Sequence, residues 1–489
     1  MNKCFNIDES VFSYIVSSSP ANIFSKHKRI FNNTLTISCS KKTDILYAEH
    51  QNQAIAIIGF CVDSHREIER NSIPEETLSQ NFPSSEAAFL WFNRFAGKYV
   101  ILFKSYSEIY VWGDATCSVP INYTCAAFDL CISSSDNLIA KNNGFPVSEY
   151  SKKIRLGSDL SQALPWNMTM YDEIKALLPN HYLSLSSRNV TRVSFEASIN
   201  TNKTNISNTL SQTLFTVTNI AKEYTQYYNL SCPLTSGFDS RVVYAILSDV
   251  LGNFDCYTFR HANFSPNEGD IVIPAEICKH YNRKHIIIDD IEAPDDYIHS
   301  IKEVLGDYIP NRLINIAYTY NSELSEYAQI NGDIIDQIGK SLIGNNIPTG
   351  LASSAFFQCK IHNKEISSRS EIKKHIDSMM TAGKKENIFD LFAMENRCGR
   401  WASQTSMIYS ACGITSLNFF NCRELILLWS SIPRKARTQK QIHHYLFNEL
   451  DPSLLNFSFN PGSKLNRIIK ENWLAFYLAT FAKQFTARK

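Results

Sequence analysis

The chain has 489 residues, 44% of them hydrophobic, enough for a substantial core and too many for one domain, which usually stops near roughly 250 residues. Lys plus Arg number 48 and Asp plus Glu 47, a formal net charge of +1, so neither a basic nucleic-acid footprint nor an acidic tail is present. Thirteen cysteines without a Cys-x-x-Cys or paired Cys/His pattern read as reduced core thiols, and the absence of a basic-then-apolar leader or a long apolar run predicts a soluble, cytoplasmic protein with no membrane partner.

Up to about Phe195 the pattern is one of short strands and turns. Ala54 to Val62 reads as a buried strand and Ser85 to Phe95 as a short helix. Gly97 to Phe103, Glu108 to Trp112 and Phe128 to Ile132 come next at the spacing of an antiparallel sheet, with turns at Gly113-Asp114-Ala115 and Ser133 to Asp136. No helical crossovers separate these strands, so this half differs in kind from the second half of the chain.

Thr201 to Asn205 reads as a polar linker. A helix is predicted beyond it, with Ile206, Leu210, Leu214, Val217, Ile220 and Tyr224 on one face. Strands at Leu230 to Leu234, Phe254 to Phe259, His285 to Asp289 and a short one ending at Ile330 alternate with helices near Asp270 to His280, Tyr297 to Leu305 and Arg312 to Tyr327. Such alternation predicts a parallel sheet with its ligand at the C-terminal strand ends. The division expected is a domain over 1–198 and another over 199–489.

The stretch Asn229 to Leu251 organises the second half. Alternating Leu230, Cys232 and Leu234 give way to Val242, Val243, Ala245, Ile246 and Val250 at helical spacing, so a strand becomes a helix. Between them, Leu234-Thr235-Ser236-Gly237-Phe238-Asp239-Ser240 brings small and hydroxylated residues to a helix N-terminus. Uncapped amides and the helix dipole make that position suited to an anion. Asp239 beside it suits a metal ion arriving with a polyphosphate.

These residues resemble the pyrophosphate loop of the asparagine synthetase superfamily, Ser-Gly-Gly-x-Asp-Ser. Thr235 stands for the serine and Ser236 for the first glycine, while Gly237, Asp239 and Ser240 match. Ser236 is the main departure, because a side chain there narrows the room for phosphate. A second loop, Asn331-Gly332-Asp333-Ile334-Ile335-Asp336-Gln337, is similar to the family's Ser-Gly-Glu-Gly-x-Asp-Glu. Order in the first half also resembles the family's N-terminal-nucleophile domain, through the Gly97 strand, Gly113-Asp114 before Pro120 to Tyr123, the Ser133-Ser134 pair and Leu178 to Tyr182.

The resemblance implies an α+β N-terminal-nucleophile-hydrolase-like sandwich followed by an α/β parallel-sheet synthetase domain with added helices. It implies nucleotide binding by Leu234, Thr235, Ser236, Gly237, Asp239, Ser240, Phe259, Asn331 and Gly332, and Mg2+ on Asp239 and Asp336. The catalytic acid would be Asp333 and the catalytic lysine Lys464, in Asn460-Pro-Gly-Ser-Lys464. Asp333 is one methylene shorter than the family's Glu, Ile334 replaces a glycine and Gln337 an acid. Further on, Asp390 to Trp401 and Leu417 to Arg437 look like the helical core that closes the synthetase domain, with Glu395 and Arg397 expected as a structural ion pair.

The implied activity is ATP-dependent amide-bond formation through an acyl-adenylate, with small-molecule or peptide carboxylate and amine substrates, as in beta-lactam synthetases and lasso peptide cyclases. A non-catalytic nucleotide-binding scaffold of the same fold is the alternative, and a homodimer is left open. Glutamine-using relatives carry their cysteine nucleophile at residue one, where the free amine is the base. Here Cys4 lies three residues in, behind Asn2, which is too large for routine removal of the initiator Met, so the amine is expected from a source other than glutamine. Incubation with glutamine should therefore release no glutamate, and Cys4→Ala should leave amide synthesis unchanged; Cys4-dependent glutamate release would refute this.

Overall fold

Alternating burial sets the architecture of the first half. In the strand Gln53–Asp63, residues from Ala54 onward are buried on both faces, so each face must be covered by a different layer. Ala54, Ala56, Ile58 and Phe60 pack with Tyr14, Val16, Ile37 and Cys39 of a facing sheet. Ile55, Ile57 and Cys61 pack instead under Ile73, Leu78, Ala88 and Phe89 of two short helices, and on the far side Ile15 and Cys131 meet Leu138, Ile139 and Ala140 of the helix Asp136–Asn143. The order is helix, sheet, sheet, helix. The computed structural model describes residues 6–153, 164, 166–195, 202–261, 264–265, 268–341, 347–360, 368–382, 387–459 and 472–486.

Both sheets in this half are antiparallel and six-stranded. One runs Ile174–Ala176, Asn122–Thr124, Cys131–Ser133, Tyr14–Ser17, Leu35–Cys39, Lys26–Ile30; the other Val190–Arg192, His181–Ser184, Glu108–Gly113, Phe95–Ser105, Gln53–Asp63, Ile45–His50. Two boundaries differ from expectation. The predicted helix from Ser85 stops at Trp91, because Phe95 opens the long strand, and the strand predicted over Phe128 to Ile132 begins only at Cys131.

In the second half the helix Lys203–Tyr227 starts inside the predicted linker, where the Asn202 side chain accepts a hydrogen bond from the Thr204 N–H. Its Leu210, Val217, Ile220 and Tyr224 are buried. Beyond it comes a parallel five-stranded sheet, in the spatial order His285–Asp289, Cys256–Arg260, Leu230–Pro233, Ala328–Ile330, Ser416–Leu417. The first three strands add outward in one direction, and the chain then returns to pair Ala328–Ile330 on the other side of Leu230–Pro233. That reversal opens a crevice at the carboxyl ends of the two adjacent strands.

The two halves are joined by specific polar contacts as well as a shared apolar core. Asn421 donates to Gly97 O at 2.6 Å and to Asp114 Oδ1 at 2.9 Å, and Ala96 pairs with Cys422 as an isolated antiparallel bridge. Gly97 has φ +136, and a Cβ there would lie 2.1 Å from Phe60 O on the neighbouring strand of its own sheet, so only glycine fits at this point of the seam. Lys98, next to it, is fully buried and donates to Ser406 Oγ at 2.5 Å and Ser410 Oγ at 2.8 Å. Burial brings its ammonium down to about 7, against the opposing charge of Asp114. Arg423 donates to Asn180 Oδ1, Asn93 Oδ1 and Ser194 O. The twelve described cysteines are free thiols, all but Cys125 buried, and among the described residues no helix is long and apolar enough to cross a membrane.

The loop after Ala328–Ile330 enters a π-helical turn, Ile335–Gly339, held from behind by Arg437. Its guanidinium donates to Ile338 O at 2.9 Å and forms a two-pronged pair with Asp390 at 2.9 and 2.7 Å, with both side chains almost wholly excluded from water. Removing one partner of such a pair strands a buried charge. Arg437→Met should therefore destabilise the protein by about 3–5 kcal/mol, measured as a drop in the urea midpoint.

Candidate functional site

The strand Leu230–Pro233 ends in the loop 234–237, and Gly237 is the N-cap of the helix Phe238–Leu251. A glycine cap brings no side chain to the first-turn amides, which leaves that helix end suited to an anion. The loop is braced internally. Ser240 Oγ accepts from the Thr235 N–H at 3.1 Å and lies 2.9 Å from Thr235 Oγ1, which in turn accepts from the Gly237 N–H at 3.2 Å. Leu234 is buried behind it, its N–H donated to Tyr257 O and its carbonyl accepting from Thr258 Oγ1.

Ser236 does not crowd this mouth as expected from its side chain. It is wholly buried and turned toward the helix Gly269–His280, where both its N–H and its hydroxyl donate to Asp270 Oδ1. Beneath the loop, the buried Arg241 donates to Ser236 O at 3.1 Å and to the carbonyls of Leu454, Phe457 and Ser458. Phe459 lies 3.9 Å from that guanidinium and stacks on Phe238 at 3.7 Å.

The second predicted loop lies against the first. A Cβ on Gly332 would sit 3.3 Å from Asp239 Cβ and 3.4 Å from Asp239 O, so the absent side chain permits the approach. Asn331 accepts from Asn418 Nδ2 at 2.5 Å and donates to Ser416 Oγ at 3.2 Å, which ties the loop to the last strand. The carboxylates of Asp239 and Asp336 converge on one cation, the ammonium of Lys340, at 2.5 and 2.8 Å. The remaining oxygen of Asp239 accepts from His443 Nε2 at 2.8 Å and that of Asp336 from Gln337 Nε2 at 2.6 Å.

Charge and burial set the protonation states. Burial works to raise the Asp239 carboxyl, but the His443 hydrogen bond and the Lys340 charge outweigh it and hold it below the usual range. For Lys340 burial works downward, and the charges of Asp239 and Asp336 win, raising it. His443 is wholly buried and lowered by that burial despite Asp239. It is therefore neutral near pH 7, and since a carboxylate only accepts, its proton resides on Nε2. Asp333 is pushed up to about 6, first by burial and then by Asp336 and Asp239, with Arg397 opposing. It lines a small cavity of about 40 Å³ at the seam of the two halves, together with Lys98, Thr116, Asn331, Ser403 and Asn418.

A resident metal ion does not fit this arrangement. Mg2+ takes near-octahedral oxygen ligation, yet all four oxygens of Asp239 and Asp336 already accept from protein donors. Among the described residues no group of three or more His, Cys, Asp and Glu could hold a metal ion.

The structure brings together Thr235, Ser236, Gly237, Asp239, Ser240, Gly332 and Asp336, with Asn331 and Asp333 alongside. Phe259 stands on the next strand, half-buried and edge-on to Tyr257. Lys464 and Cys4 lie outside the described residues. The expected Glu395–Arg397 pair does not form. Two residues apart on the π-helix Ala393–Ala402, they diverge: Glu395 pairs with Arg192, and Arg397 covers the Trp401 ring and reaches Gln337. Asp239 is bound to the buried His443. Lys340, His443, Asp270 and Arg241 were not singled out by the sequence patterns. No family model matches the chain, and no curated protein matches it in sequence.

A carboxyl whose folded pKa lies above its unfolded value binds more protons folded than unfolded, so its contribution to stability declines as pH rises from about 4 through about 6. Asp333→Asn removes that penalty. The variant should gain on the parent across this window, by roughly 2 kcal/mol at pH 7, read from denaturant melts at pH 4 and pH 7. A constant difference would show that Asp333 titrates normally.

Proposed function

We propose that the protein is an ATP-dependent amide-bond-forming ligase that adenylates a carboxylate, releases AMP and pyrophosphate, and passes the acyl group to an amine other than glutamine-derived ammonia. The observation that carries this reading is the meeting of two loops at the sheet's reversal point, where an uncapped helix N-terminus lies beside Asp239, Ser240, Gly332 and Lys340. The helix-sheet-sheet-helix order of the first half and the all-parallel sheet of the second agree with what the resemblance to the asparagine synthetase superfamily implies, and support the reading. In this reading 1–198 is a degenerate glutaminase-like domain and 199–489 the synthetase.

Adenylation creates negative charge on the departing pyrophosphate. The first-turn amides of the helix Phe238–Leu251 and the Ser240 hydroxyl would receive it, with Lys340 supplying a nearby positive charge. Mg2+ enters as part of the MgATP substrate. Asp333, protonating near 6 and lining the seam cavity, is poised to take a proton from the attacking amine.

Titration with α,β-methylene-ATP and Mg2+ tests the nucleotide site. One equivalent per chain is expected to bind, weakened at least about tenfold in Ser240→Ala, which corresponds to one lost phosphate contact of roughly 1.4 kcal/mol. Absence of binding would end the proposal. With a panel of carboxylates and amines, turnover should give AMP and pyrophosphate, and Asp239→Asn should slow it about a hundredfold; ADP and orthophosphate would exclude adenylation. The saturated carboxylates favour a second reading, a nucleotide-binding scaffold without catalysis, which predicts binding of ATP and no isotope exchange between ATP and pyrophosphate with any acid.

A further inference from the structure

We propose that Lys340 is the resident cation of this site: its ammonium holds the position between Asp239 and Asp336 that a divalent ion would need, so the free protein takes up no divalent cation there, and removing the ammonium uncovers a metal site. The geometry carries this. Lys340 Nζ lies 2.5 Å from Asp239 Oδ2 and 2.8 Å from Asp336 Oδ1, so the inner oxygens of both carboxylates point at a single positive charge. Their outer oxygens are held by His443 and Gln337, which fixes both rotamers around that point.

The lysine is itself held in place. It comes directly after the π-helical turn, and its own N–H donates to Ile335 O at 3.0 Å. Its side chain is 17% exposed, against 23% for Asp239 and 31% for Asp336, so water screens the cluster weakly. Two ionised carboxylates and one ammonium leave one net negative charge. Without the ammonium the same pocket carries two, or three when Asp333 ionises, and His443 is neutral. A half-buried site of that charge, with two carboxylates already aimed at one point, attracts a hard divalent ion.

A tethered ammonium does part of a metal's work without its mass-action dependence. It neutralises one charge at all times, cannot be removed by a chelator, and leaves the helix N-terminus beside it open. The relevance of that charge to a nucleotide rests on the function proposed above; the exclusion of metal does not.

Full-length protein, treated with EDTA and dialysed, is titrated with Mn2+ alone, and unbound Mn2+ is read by its solution EPR signal. The wild type should leave Mn2+ free to about 1 mM, weaker than dedicated protein sites for hard cations. Lys340→Met should bind one Mn2+ per chain at least tenfold more tightly, and Lys340→Met combined with Asp239→Asn should lose it. Lys340→Gln runs alongside, because its amide can still donate to a carboxylate and so spares the fold; either folded variant decides the second arm. One Mn2+ on the wild type that Asp239→Asn removes would overturn the proposal, as would a folded lysine variant that binds none. No nucleotide is present, so a failed ATP titration and a failed metal titration remain distinguishable.

Discussion

The salt bridge that joins Asp239, Lys340 and Asp336 is the constraint around which the second half is arranged. It links a helix N-terminus at the end of one strand to a π-helical turn at the end of its neighbour, and these segments are 101 residues apart in sequence. Paired charges of this kind contribute little net stability, because desolvation consumes most of the attraction. Their effect is on uniqueness: any other spacing of the two loops would leave a half-buried charge without its partner. The sheet's reversal brings the loops near each other, Gly332 lets them touch, and the three charges fix the remaining distance.

The scaffold behind that contact is built to resist shear. Arg437 and Asp390 anchor the π-helical turn from the protein interior, and Asn331, Ser416 and Asn418 stitch its leading edge to the last strand. Across the seam, Asn421 reads the backbone at Gly97 and the Asp114 carboxylate at once, so the antiparallel half is positioned relative to the parallel half by hydrogen bonds of defined direction. Apolar packing alone would tolerate sliding; the directional contacts do not.

What was legible in the sequence was local. The change from period two to helical period at Leu230 to Val250 placed a strand, a turn and a helix correctly, and with them the relation of Thr235, Gly237, Asp239 and Ser240. Alternation of strands and helices likewise led to the parallel sheet, while the pairing of Asp336 with Asp239 came from the second loop's resemblance. The cluster of Lys340 and His443 was not legible: Lys340 stands four residues after Asp336, but the Asp239 that completes the cluster is 101 residues from Lys340 and 204 from His443. The Glu395–Arg397 expectation failed for the same reason. Proximity in sequence suggested a pair, whereas Glu395 pairs with Arg192, 203 residues earlier. Ser236 looked obstructive because the acceptor that turns its hydroxyl aside, Asp270, sits on the next helix.

Arg241 has a consequence for how the chain is made. It bonds to Ser236 in the loop 234–237 and to carbonyls of residues 454, 457 and 458, more than 210 positions downstream. During synthesis the loop leaves the ribosome long before those carbonyls exist. Until they arrive, a guanidinium that ends up wholly buried has to stay in water, and the floor of the loop is missing. The site is thus finished late, by a segment translated long after it, and a nascent chain, or one cut short of those carbonyls, would carry the loop's sequence without its shape.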